Sequence, residues 1–514
     1  MVVAPGVVER TPRTPGKPVL RAWSWRCSRR SVRRRTPAMH GPTGGVLSLG
    51  NLMADRFPSA LLIVVIVAVA IGGYERQDEG REVVELLAEL PDLWDVNVAG
   101  ALGNDSKSAR FSPEGFQEVN VAFVKSLTSK PVVSVGRFTS PETMAGQIRR
   151  GIQDFIGAAR PSIADPFLPL KIREGRADEI RECIGCNICR AANNEGVHLR
   201  CTQNPTIAEE WRRGWHPERI ARYPKRETAL VIGAGPAGLE AALTLGRRGL
   251  DVTLTEKSRH LGGRILAEST LPGLSTYIRV RDWRSTMIAK LPNVAVYPES
   301  DMTPADIVDF NADHTVVATG SRWRRDGIGV LKMERRAFPL ALTPDDVFAE
   351  SPVTGPIVIY DDEHYFMGGA LAEKFALAGN EVTLVTPQAT ASYWTAYTDE
   401  QGFVQTRLLN LGVTLILTHH VIAQDPETVR IACAYTAAER TIRCATLVLA
   451  TGRLPHAPLH DALQGRISNL TRIGDCLQPS SIADAVYSAH AYARGLGEPS
   501  VPLKRELPPY REVT

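Results

Sequence analysis

Between Cys183 and Cys201 the chain reads CIGCNICRAANNEGVHLRC, four cysteines spaced C-x2-C-x2-C-x11-C. Half of the chain's eight cysteines stand in this one run. Three thiolates on a short loop can each take one iron of a cubane, and a fourth closes the cluster from a distance; this is the ligand logic of iron–sulfur proteins. Zinc competes, because two C-x2-C pairs also build a four-thiolate tetrahedron. Zinc sites, however, usually set the two pairs apart and do not share a middle cysteine. The spacing predicts a [4Fe–4S] cluster on Cys183, Cys186, Cys189 and Cys201, and with it redox chemistry. His198 lies inside the loop but is surplus to four sulfur ligands. Trp211 and Trp215, just beyond it, are expected to pack as a lid that limits water.

A second signature follows in TALVIGAGPAGLEAALTLGRRGLDVTLTEKSRHLGGR. A strand over 229–232 runs into Gly233-x-Gly235-x-x-Gly238, a helix follows to about Arg248, and a second strand ends at Glu256. The glycines permit a tight turn and close approach to a pyrophosphate at the helix N-terminus, and Glu256 is placed to bind a ribose hydroxyl. Strand, helix and acid at these distances predict an adenine dinucleotide or its ADP part. Gly263 and Arg264, VVATG at 316–320, and Gly474-Asp475 in RIGDC extend the same site.

Other elements must position these residues. From residue 75 the chain alternates helix and strand, which implies parallel strands. Val83, Leu86, Leu87 and Leu90 mark a helix face, and strands are expected in 93–98, 131–137 and 154–166. The last two strands lead into Gly136-Arg137 and Gly157–Arg160, glycine and arginine suited to a phosphate. In eight-stranded α/β barrels the phosphate site follows strands seven and eight, so 75–182 reads as the last three strands of such a barrel. The fold is α/β: this partial barrel, a cluster loop at 183–225, and a Rossmann-like domain at 226–345 and 441–514 carrying a smaller inserted domain at 346–440. The inserted domain resembles a second nucleotide domain, but Asp361, Asp362, Glu363 and His364 stand where a glycine loop would bind phosphate. Their carboxylates would repel NAD(P)H.

The net charge of +4 is uneven. Residues 1–57 carry eleven Arg or Lys against Glu9 and Asp55, so the rest is net acidic. Nucleic-acid binding is not expected of such a body. Segment 1–74 shows no period before an apolar run from Ala60 to Ile71. That run is short of the roughly twenty residues of a membrane span, and a buried strand is one reading of it. The segment as a whole is expected to be disordered or spurious, the true start being lost. Cys27, Cys433, Cys444 and Cys476 are scattered, as in a reducing cytoplasm.

GRFTSPETM, ARPSIADPFLP, CIGCNIC, CTQNPTIAEEWRRGWHPE and the glycine motif occur in this order in one family. From residue 75 onward the chain resembles the trimethylamine, dimethylamine and histamine dehydrogenases, iron–sulfur flavoproteins related to 2,4-dienoyl-CoA reductase and old yellow enzyme. The resemblance implies FMN in the barrel, oxidation of a small amine, a [4Fe–4S] relay, ADP or FAD on the glycine motif, and an electron-transferring flavoprotein as acceptor. It also implies a homodimer. Gly136, Arg137 and Arg160 would hold the FMN phosphate, with the site otherwise incomplete; Gly474-Asp475 would reach the far ribose of FAD. Asp105, in NDSKSARF, would correspond to an active-site aspartate, with a solvated loop acid as the competing reading. Against an amine dehydrogenase stand two alternatives: an NAD(P)H-dependent dienoyl-CoA or enoate reductase, and a non-catalytic electron-transfer fragment. Tyr393, Trp394 and Tyr397 suggest an electron-exit surface or ordinary packing.

Overall fold

The structure is a computed structural model that describes residues 64–66, 75–97 and 106–498. All of them belong to one compact unit, 59–514. Cys27, Asp105 and the basic segment lie outside the described residues, as does most of the apolar run.

Strands β1 (Val64–Ile66), β2 (Leu93–Val96), β3 (Val132–Ser134) and β4 (Phe155–Ile156) form a parallel sheet in chain order. The expectation of three strands is corrected: the β-branched stretch inside the apolar run, placed in a segment read as disordered or spurious, pairs Val64 with Leu93 and adds a fourth. Helix α1 (Glu75–Leu87) precedes β2, α2 (Glu118–Leu127) precedes β3, and α3 (Pro141–Arg149) precedes β4. Ser140 caps α3 by accepting from the Thr143 N–H, with Pro141 at the first helical position. The helix face read from Val83, Leu86 and Leu90 is also corrected, since these are 47%, 81% and 72% exposed. Val84, Ala88 and the partly buried Leu87 pack on Trp94 instead, one position round the helix. Sequence spacing fits both stripes; the sheet chooses between them.

The nucleotide domain is a five-stranded parallel sheet. Strand β5 (Thr228–Ile232) lies at its centre, flanked by β6 (Asp251–Thr255) and β7 (Val294–Tyr297) on one side. On the other side are β8 (His314–Val317) and the strand Leu470–Arg472. The helix Pro236–Arg247 packs its alanine- and leucine-rich length on this sheet and on Ile482–Gly495. In the inserted domain, β9 (Ile357–Asp361) sits between strands Val382–Val385 and Thr446–Ala450, all parallel. The expected return at 441 is thereby corrected: Thr446–Ala450 completes the inserted sheet, every residue of it buried. The chain re-enters the first domain at Arg453–Pro455, antiparallel to Ser321–Trp323.

Candidate functional site

The cysteine loop is held by two left-handed residues, Gly185 (φ 64°) and Asn187 (φ 56°). A Cβ on Gly185 would lie 2.8 Å from the Ala109 nitrogen, so only glycine lets the loop touch the 106–111 segment. Asn187 immediately precedes helix α4 (Ile188–Asn194), which carries Cys189. The Gly185 N–H donates to Cys183 Sγ at 3.3 Å, and Cys186 Sγ is 3.1 Å from the Thr202 hydroxyl. Backbone N–H groups of Ile188, Arg190, and Gln203 with Asn204 favour ionised Cys186, Cys189 and Cys201 respectively. Burial outweighs them and pushes all three thiols up to about 12, helped by repulsion among the sulfurs. The structure thus places the four cysteines within electrostatic reach of one another, with N–H groups aimed at the buried sulfurs of Cys186, Cys189 and Cys201. Among the described residues no group of three Cys, His, Asp or Glu side chains is arranged to hold a metal ion. His198 is exposed, its ring tilted against Trp211. The expected lid is not formed as a pair: Trp211 is 58% exposed, and Trp215 is buried against Tyr487 and His490 of the C-terminal helix.

The glycine motif opens on a cavity of 1120 Å³. A Cβ on Gly238 would lie 1.8 Å from the Gly233 carbonyl oxygen, which makes that glycine obligatory for helix–strand packing. Gly233, Gly235, Glu256, Gly263, Arg264 and Asp475 line the cavity; Gly238 and Gly474 support it from behind, since a Cβ on Gly474 would meet Ala237 at 2.6 Å. Glu256 accepts the N–H groups of Ala234 (2.8 Å) and Ser258 (2.9 Å), so its carboxylate also holds the loop. Arg264 pairs with Asp345 and donates to the Ser321 carbonyl. Asp475 accepts from Arg453, from Ser321 Oγ at 2.9 Å and from the Ser480 N–H at 3.2 Å. The same cavity is also lined by Cys186, Thr202, Tyr277, Tyr365 and Trp394. Glu363 faces it too; burial, then the neighbouring Asp361, pushes its carboxyl up to about 7.

At the end of the barrel sheet, Arg137 is left-handed (φ 59°), and its Nε and Nη1 are buried with no partner among the described residues. Burial lowers its pKa, and Glu114, Cys183, Arg160 and Arg279 act on its charge. Gly136 precedes it, with room for a Cβ only by pressing the Phe138 ring at 3.0 Å. Arg160 donates through Nη1 to the Lys107 carbonyl at 2.7 Å and to Asn187 Oδ1. Sequence reasoning missed Arg279, which donates to Thr139 Oγ1 at 2.9 Å and to the Cys183 carbonyl at 3.3 Å. It missed Asn187 as well, although an αL-tolerant residue inside a tight cysteine turn is a readable signal.

The acidic loop after β9 is more closed than charge alone suggests. Asp361 and Asp362 are fully buried. Asp362 accepts the N–H groups of Leu331 (3.0 Å) and Lys332 (2.9 Å) and lies 2.8 Å from His364 Nε2. Burial raises the Asp361 carboxyl, which accepts the His364 N–H at 2.9 Å. The segment 329–332 is thus strapped across the place of a phosphate loop. Trp394 packs edge-on to Tyr365 at 4.7 Å and to Tyr397 at 5.8 Å, and Tyr393 is 40% exposed.

Residues 70–179 match the NADH:flavin oxidoreductase / NADH oxidase family, and 227–470 match the pyridine nucleotide-disulphide oxidoreductases. The chain is 36% identical over 478 residues to dimethylamine dehydrogenase of Hyphomicrobium sp. (strain x), covering 84% of this chain and 65% of that one. Histamine dehydrogenase from Rhizobium sp. 4-9 has a similar structure: TM-score 0.83 and 43% identity, over 92% of this chain and 72% of that one. The chain belongs to the trimethylamine/dimethylamine/histamine dehydrogenase family. An NADH oxidase of Thermoanaerobacter brockii is 30% identical over 82% of this chain and 64% of its own length. The chain thus spans 65% and 64% of these two curated relatives. Its fold is accordingly part of an FMN-type β/α barrel followed by nucleotide-binding domains. Among the described residues no helix is long and apolar enough to cross a membrane.

Proposed function

We propose that this chain is the electron-relay part of an amine-oxidising flavoprotein, with a [4Fe–4S] cluster on Cys183, Cys186, Cys189 and Cys201. One observation carries this reading: the thiol loop bridges two nucleotide-type sites, with Asn187 hydrogen-bonded to Arg160 at the barrel end and Cys186 in the wall of the glycine-motif cavity. Four cysteines at C-x2-C-x2-C-x11-C, with backbone N–H groups toward Cys186, Cys189 and Cys201, fit the ligand pattern of a polynuclear cluster better than the separated pairs usual for zinc. The buried Nε and Nη1 of Arg137, without a partner among the described residues, fit the phosphate of FMN. When bound, FMN would take two electrons from the amine and the cluster would accept them one at a time. The chain's own part is to fix the phosphate, keep the thiolates dry and close together, and seat ADP or FAD against Gly233, Gly235, Glu256, Gly263, Arg264 and Asp475. Asp105 is retained as the candidate catalytic acid. A small amine as donor, an electron-transferring flavoprotein as acceptor, a second copy of the chain and a cytoplasmic setting complete the proposal.

Anaerobic purification followed by iron, sulfide and flavin counts tests it. The expected result is about four irons per chain, released FMN, and bleaching of the flavin by dimethylamine or histamine. A chain with iron and adenine nucleotide but no FMN would leave an electron-transfer module serving a barrel elsewhere. Rapid reduction by NADPH would favour the enoate-reductase reading, which the strapped acidic loop opposes.

A further inference from the structure

We propose that Asn187, between the second and third cysteines, is a positioning residue for the anion end of the barrel: its amide oxygen orients the Arg160 guanidinium toward the phosphate of a flavin mononucleotide. This rests on the reading of Arg137 and Arg160 given above.

Asn187 is 2% exposed, yet its amide reaches three separate parts of the chain. Nδ2 donates to the Ser106 carbonyl at 2.6 Å and to the Thr398 carbonyl at 2.9 Å. Oδ1 accepts from Arg160 Nη1. The two carbonyls fix which way the amide points, because a flipped amide would set its oxygen against both of them. The oxygen must therefore face Arg160. The Thr398 carbonyl is held in turn: Arg190 on α4 pairs with Asp399 at 2.5 Å, and Asn194 donates to the Tyr397 carbonyl at 2.8 Å. A turn of the inserted domain thus sets the amide, and the amide sets the arginine.

Among the described residues both hydrogen bonds of Arg160 run through Nη1, one to Asn187 and one to the Lys107 carbonyl. With that nitrogen saturated, the fork made by Nε and Nη2 is the edge left for an oxyanion. Arg137 offers a second fork, its Nε and Nη1 buried and without a partner among the described residues. Fixing both planes before the phosphate arrives removes the cost of ordering two long side chains on binding.

The test compares FMN with riboflavin, which lacks the phosphate, by fluorescence titration of the full chain. Asn187→Gly removes the amide but keeps the left-handed backbone that the cysteine turn needs. FMN binding is expected to weaken about tenfold, the effect of losing one hydrogen bond to a charged group. Riboflavin binding and iron content should stay unchanged. Equal losses for FMN and riboflavin, or loss of iron together with FMN, would overturn the assignment by making Asn187 a prop of the loop alone. Arg160→Met separates the two layers. If it weakens FMN while Asn187→Gly does not, the phosphate site stands and the positioning role falls. If Arg160→Met changes nothing, or the unsubstituted chain binds no FMN, the phosphate site falls and the positioning role with it.

Discussion

The two nucleotide-type domains share a strand–turn–helix plan and differ in what fills the turn. After β5, Gly233, Gly235 and Gly238 leave an open cavity at the helix end, and Gly238 touches the Gly233 carbonyl so closely that no side chain fits. After β9, Asp362 fills the equivalent space and spends its carboxylate on Leu331, Lys332 and His364. The difference teaches that one strand–turn–helix plan can carry either an open turn or a closed one. In the closed one an internal carboxylate caps a strap of backbone. The inserted domain also reaches the cysteine loop, because its 397–399 turn grips helix α4.

The largest way to break this contrast is Gly238→Val. Its side chain must displace the Gly233 carbonyl, so bound adenine nucleotide should vanish from the denatured-protein extract. Stability should fall by roughly 3 kcal/mol or more, read by urea titration. Next is Asp362→Ala, which orphans two N–H groups and a histidine; a loss of about 2–3 kcal/mol is expected. NADPH reduction should still be absent, since Asp361 and Glu363 remain, and a variant that gained fast NADPH turnover would sink the account of the strap. Gly329→Ala drives a Cβ to 2.4 Å from the Asp362 carboxylate and should cost about 1–2 kcal/mol, with faster exchange of the Leu331 and Lys332 amides.

The smallest effect concerns Glu363, whose carboxyl titrates near 7 in the folded chain against an ordinary value of 4.5. A raised carboxyl pKa means that the folded state holds a proton the unfolded state releases. Its contribution to stability therefore falls as pH rises from about 4.5 to about 7 and is flat above. Glu363→Gln should match the parent at pH 4 and exceed it by about 1–2 kcal/mol at pH 8, discounted for its partial exposure. Equal melting at both pH values would show that Glu363 is ionised without penalty.

Much of this was legible in the residues. Glycine spacing, the cysteine run and the alternation of helix and strand are local signals, and they located β2 to β6 and the site loops within a few residues. The helix face at Val83 and Leu86 misled because two adjacent stripes of α1 are both apolar, and only the sheet decides which is buried. The fourth strand went undecided because a short apolar run reads equally well as several elements. The inserted domain's last strand was placed in the wrong sheet, since a buried parallel strand looks the same in either.

The sequence alone determined the four-cysteine run at Cys183, Cys186, Cys189 and Cys201 and the open glycine loop, because both depend on residue type at short fixed spacings. Tertiary structure alone decided that the thiol loop bridges two sites, that Asp362 is a cap rather than a repelling surface charge, and that Asn187 orients Arg160. Each of these rests on groups far apart in the chain whose hydrogen-bonding capacity is assigned only when packing brings them within 3 Å or so of one another.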